Sequence, residues 1–135
     1  MKHLKRRVRS ALCIALCVAL GVAGVAAFVF FGPEIRYQLN KKNYAQFEYI
    51  PDEDGNVGIQ VQWEGRTYTN YDTPVNLYSL MGKQFGVIGG DPRAQMHAVE
   101  GLDTSEWVML NMNILMGWTQ LYKADDVTEI PEVLI

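Results

Sequence analysis

Past Cys17 the chain contains no cysteine, and its only two, Cys13 and Cys17, lie inside a hydrophobic run near the N-terminus. The remainder has no thiol to form a disulfide, hold a soft metal or act as a nucleophile. Histidine is as scarce, since beyond His3 there is only His97. Serine past Ser10 is limited to Ser79 and Ser105, neither of them in a nucleophile-elbow sequence, so a hydrolytic triad lacks its parts. Positive charge is short as well. Lys2, Lys5, Arg6, Arg7 and Arg9 all fall in the first ten residues with no acid among them, leaving seven Lys and Arg against fifteen Asp and Glu. Affinity for nucleic acid comes largely from basic residues displacing counterions, so an acidic domain is not expected to bind it.

What the N-terminus does contain is apolar. Residues 11–31 form an unbroken stretch of twenty-one without a charge or a strongly hydrogen-bonding side chain. As a helix it spans roughly 31 Å, the thickness of a bilayer core. Eleven of these residues are Leu, Ile, Val or Phe. At about −0.3 to −0.6 kcal/mol each, their insertion is favourable by roughly 3 to 7 kcal/mol. The flanking charges predict the orientation: residues 1–10 are a basic cytoplasmic tail, 11–31 a transmembrane signal-anchor, and everything beyond lies outside the cytoplasm. Pro33 suggests that the helix stops there. A cleaved signal peptide is the rival, with Val25-Ala26-Ala27 as a small-residue site. Cleavage there would leave Phe28-Val29-Phe30-Phe31 as a greasy new terminus, which favours the uncleaved anchor. A lipoprotein signal fits less well, because Leu12 and Leu16 precede the two cysteines where a small residue is wanted.

Within the span, Ala11, Ala15, Ala19, Ala23 and Ala27 recur every four residues, a ridge of the kind that lets two helix backbones approach. Alanine is also common in export signals, and chance spacing is the plainer account. The lipid bilayer is thus the first expected partner, with another membrane or envelope protein as a second.

Residues 32–43 predict a stalk, either short helix or linker, leading into a domain over 44–135. In Val57–Trp63 the apolar residues occupy every second position, the period of a half-buried strand, with Val57, Ile59, Val61 and Trp63 inward. Ala45–Tyr49 alternates likewise, and antiparallel pairing that keeps both apolar sets on one face requires an odd number of loop residues around Asp52-Glu53-Asp54-Gly55-Asn56. A two-residue turn at Glu64-Gly65 sets Val61 opposite Tyr68 and Trp63 opposite Arg66, where guanidinium could lie over indole. Around Pro74 a loop or short helix is expected. Residues 84–88 and 95–99 flank the turn-rich Gly89-Gly90-Asp91-Pro92-Arg93, and 106–110 and 119–123 add two strands joined by a rim turn over 111–118. Six to eight short strands predict a small mainly-β domain, an antiparallel barrel or sandwich, with α+β as the alternative if 72–82 is helical.

Chemistry has few candidates. The Asp52–Asn56 run has the carboxylates of a calcium loop but departs from the EF-hand pattern, with Val57 where Gly is required and Trp63 where Glu is. Glu100, Asp103 and Glu106 lie by a Gly-Leu-Asp-Thr-Ser turn, where acids occur without catalytic duty. No cofactor, metal or catalytic residue is assigned, and an enzyme is not expected. All seven tyrosines and all three tryptophans of the chain lie beyond the apolar run. Trp63 and Trp107 suit a core. Trp118, beside Gly117 in the rim turn, is the candidate binding residue, with Tyr122 nearby in sequence.

Gly82-Lys83-Gln84-Phe85-Gly86, Ala98-Val99-Glu100-Gly101-Leu102-Asp103 ahead of Thr104–Val108, and Leu121-Tyr122-Lys123 resemble a pattern in small membrane-anchored or secreted proteins of Gram-positive bacteria. The resemblance covers roughly residues 63–130. It implies an extracytoplasmic bacterial location and transfers no catalytic residue. The expected function is a non-enzymatic binding or interaction module of the cell envelope. The alternatives are an accessory subunit associating through its transmembrane helix, or an envelope enzyme.

Overall fold

A computed structural model of the chain describes residues 2–135. The chain opens with a long helix, α1 (Lys2–Asn40), and divides after Leu39 into two compact units, the second being Asn40–Ile135. Within α1 the stretch Lys5–Val29 is long and apolar enough to cross a membrane. The helix does not stop at Pro33, so most of the expected stalk is helical. A proline removes one N–H donor but does not prevent continuation when good helix formers follow. Here Glu34 and Gln38, one turn apart, are joined by a side-chain hydrogen bond of 3.3 Å.

Seven strands follow: β1 (Ala45–Ile50), β2 (Gln60–Trp63), β3 (Arg66–Asn70), β4 (Met81–Ile88), β5 (Asp91–Val99), β6 (Trp107–Met112) and β7 (Thr119–Ala124). They close into a barrel in the order β1-β2-β3-β7-β6-β5-β4. All neighbours are antiparallel except β1 and β4, which close the barrel in parallel, so it is mixed rather than purely antiparallel. The closing seam needs a residue without a side chain: a Cβ on Gly86 would lie 2.6 Å from the Ala45 carbonyl oxygen. The helical structure within residues 72–82 is limited to a short 3-10 turn, Leu77–Leu80, before β4 begins at Met81, which leaves the domain mainly β.

The first hairpins take the register their alternation requires. Tyr49 faces Val61 across a nine-residue loop, 51–59. Val61 faces Tyr68, and Trp63 faces Arg66, across a turn in which Glu64 and Gly65 both have positive φ. Two details differ from expectation. Strand β2 begins only at Gln60, and Val57 and Ile59 are exposed. The loop has left the sheet before reaching them, so the alternation overstates the strand. Arg66 does not rest on Trp63 but turns outward to Asp126, at 3.1 Å, and to the Ser105 carbonyl. Trp63 packs instead against Phe47 and Phe85, with ring centroids 5.0 and 5.5 Å away. An exposed carboxylate offers a guanidinium a charge-assisted bond that an indole face already covered by phenyl rings does not.

Apolar residues gather in two layers. The barrel interior holds Phe47, Val61, Tyr68, Met96, Leu110 and Tyr122 among others. A second cluster, Val99, Trp107, Met109, Leu121 and Leu134, lies on the other face of β5, β6 and β7. There the 71–80 segment and the C-terminal residues cover it, so β6 is buried on both faces. Trp107 belongs to this outer layer, edge-on to Tyr71 at 5.3 Å, with its indole N–H buried and unpartnered among the described residues.

Candidate contact site at one end of the barrel

Strand direction sorts the loops. The chain enters the barrel at Ala45, and the end where β1 finishes is also where β3, β4 and β6 finish. That end therefore gathers loops 51–59, 71–76, 89–90 and 113–118. Their chemistry is uneven. The first two hold Asp52, Glu53, Asp54 and Asp72, and none of the four contains a Lys or Arg.

Loop 113–118 is apolar where a turn is ordinarily polar. Leu115 is fully exposed, Met116 is 88% exposed, and Ile114 and Trp118 are each 45% exposed. The loop is nevertheless built from a defined backbone. Its base is closed by Met112 N–H donating to the Trp118 carbonyl at 2.9 Å, and Asn113 N–H donates to the Arg93 carbonyl at 2.9 Å. Gly117 is required by close approach, because a Cβ there would meet the Met112 carbonyl oxygen at 2.5 Å. Fixed backbone and free apolar side chains together make a tip organised before anything touches it.

Trp118 thus stands at the rim, half covered. Tyr122 does not join it. Four positions into β7, Tyr122 points inward beside outward Leu121, is wholly buried, and donates its hydroxyl to the Gly58 carbonyl at 2.7 Å. Burial raises its pKa, with the Tyr49 phenol adding to the effect. The expectation that Tyr122 marks a contact surface is corrected: nearness in sequence to Trp118 is lost because a strand turns alternate residues into the barrel. Its hydrogen bond has a different consequence, tying loop 51–59 to the interior. Ala11, Ala15, Ala19, Ala23 and Ala27 all lie on α1, away from this unit in the chain.

The other candidates have structural occupations. Asp52 Oδ1 accepts the N–H groups of Asp54 and Asn56, at 2.9 and 2.8 Å, as a turn former. Asp103 Oδ1 accepts the Ser105 N–H at 2.8 Å. That bond, then the Ser105 hydroxyl, lowers the Asp103 pKa. His97 meets the Gly82 carbonyl through Nδ1 at 2.9 Å and the Gln95 amide oxygen through Nε2 at 3.4 Å. Among the described residues no group of three or more His, Cys, Asp or Glu could hold a metal ion.

Sequence reasoning found Trp118 but passed over Ile114, Leu115 and Met116. The signal was present: Ile-Leu-Met-Gly-Trp is too apolar for a solvated turn unless it is buried or meets a partner. No known family model, curated protein or solved structure matches the chain.

Proposed function

We propose that this chain is a single-pass membrane protein of a bacterial envelope whose extracytoplasmic barrel is a non-enzymatic binding module. The apolar helix following a basic N-terminal tail supports the anchor and its orientation. The observation that carries the binding role is the loop Ile114–Trp118. Four large apolar side chains project from a hydrogen-bonded base at one end of the barrel. Exposed apolar patches on this scale mark contact surfaces, and loops on a rigid sheet are where binding residues collect.

Two measurements test the proposal. In intact cells, external protease should remove the barrel while the N-terminal tail stays protected; the converse pattern would refute the orientation. The full chain, extracted in mild detergent, should migrate on native gels within an assembly, and Leu115→Ser with Met116→Ser should release it without lowering the unfolding temperature. An assembly unaffected by the double variant would remove the loop from the binding role.

A further inference from the structure

The partner's chemistry can be read from what surrounds the apolar tip. Leu115 and Met116 with the exposed parts of Ile114 and Trp118 present on the order of 500 Å² of apolar surface, comparable to the largest patch of an ordinary monomer. A specific protein interface takes roughly 800 Å² from each partner and surrounds an apolar centre with a polar rim. Polar groups are supplied by the other loops at the same end of the barrel. Asp52, Glu53, Asp54 and Asp72 lie at this end, the first three across the barrel mouth from the tip, and Arg93, whose carbonyl holds Asn113, is the base next to the tip itself.

This charge selects between two kinds of occupant. Loops that insert into a lipid surface are drawn to its anionic headgroups by flanking Lys and Arg. Here the loops at the same end of the barrel carry mainly the opposite sign, so an anionic bilayer repels the end that would have to enter it. A protein surface with an apolar pocket bordered by Lys and Arg is complementary to both parts at once. Resting on the reading of loop 113–118 as the contact site, we infer that the tip docks into an apolar pocket of a protein, rimmed by basic residues that face the 52–54 turn.

Photo-crosslinking in the cells that make the protein tests this on the full chain. p-Benzoylphenylalanine replaces Leu115, where no packing is disturbed, and in a control chain replaces Gln62, which is exposed on β2. Irradiation should give a discrete protein adduct from position 115, in several-fold excess over position 62. Its crosslinked peptide should map to an apolar site flanked by Lys or Arg. Adding Glu53→Lys and Asp54→Lys should lower the adduct yield by about tenfold, the low end of electrostatic steering. Both carboxylates are outside the barrel core, and an unaltered yield would overturn the basic rim. A lipid adduct at position 115, or a crosslinked protein site lacking basic neighbours, would overturn the partner class while leaving the loop as the contact site. No adduct above the Gln62 control would overturn the loop itself.

Discussion

Substitutions along loop 113–118 should separate contact from packing in graded steps. Leu115 is fully exposed, so Leu115→Ser removes no buried surface and should change stability by less than about 0.5 kcal/mol. Trp118 is 45% exposed, so a little over half of its surface is covered. A tryptophan buries roughly 200 Å² when enclosed, which leaves about 110 Å² to lose in Trp118→Ala. At about 25 cal/mol per Å² the cost is about 2 to 3 kcal/mol. For a domain of this size that lowers the midpoint by roughly 10 to 20 °C. Fluorescence-detected unfolding of the full chain in detergent reads the barrel alone, because Trp63, Trp107 and Trp118 all lie in it. Trp63 and Trp107 remain as reporters when Trp118 is replaced. A cost above about 1 kcal/mol for Leu115→Ser would refute the exposed tip. A loss of 4 to 5 kcal/mol for Trp118→Ala, the range of a fully buried aromatic, would make Trp118 a core cap instead of a half-covered rim residue.

Phe47→Ala should cost about 3 to 5 kcal/mol in denaturant unfolding, since Phe47 is wholly buried inside the barrel, whereas Val57→Ala, at an exposed loop position, should cost under about 0.5 kcal/mol. Gly117→Ala should destabilise by about 1 to 3 kcal/mol through the contact with the Met112 carbonyl, although the glycine lies in an exposed loop; a neutral result in the same assay would mean that the loop base can relax. Stability should fall as pH rises above about 10, because burial raises the pKa values of Tyr122, Tyr68 and Tyr49 above their ordinary 10.0. The unfolded chain then loses phenolic protons that the folded one keeps, and Tyr122 contributes at most about 1.4 kcal/mol per pH unit. Tyr122→Phe should flatten this alkaline slope while weakening the barrel at every pH by loss of the Gly58 bond. After an alkaline carbonate wash the full chain should remain in the membrane fraction, whereas release of a form beginning near Phe28 would indicate cleavage of the apolar segment.

The amino-acid sequence alone determined the elements whose physics is local. Twenty-one apolar residues in series can hardly be anything but a membrane-length or export helix, because no water-facing side remains. The pairing of odd residues of β1 with odd residues of β2, and Trp63 opposite Arg66, were equally legible, since a one-residue slip would turn every apolar side chain of those strands to the wrong face, whereas the particular pair Tyr49 and Val61 was set by the structure. Tertiary structure decided what depends on residues distant in the chain. Nothing near Ala45 announces its parallel partner Gly86, for closure is a property of seven strands together. Alternation likewise shows which residues of β6 and β7 share a face without saying that both faces are covered. Trp107 therefore ended in an outer layer beneath the C-terminal residues, and Tyr122 inside the barrel. The candidate site lay between these cases. Its apolar run is visible in the sequence, but only strand direction brings it to the same end of the barrel as the acidic 52–54 turn, because which loops share an end depends on how all seven strands pair.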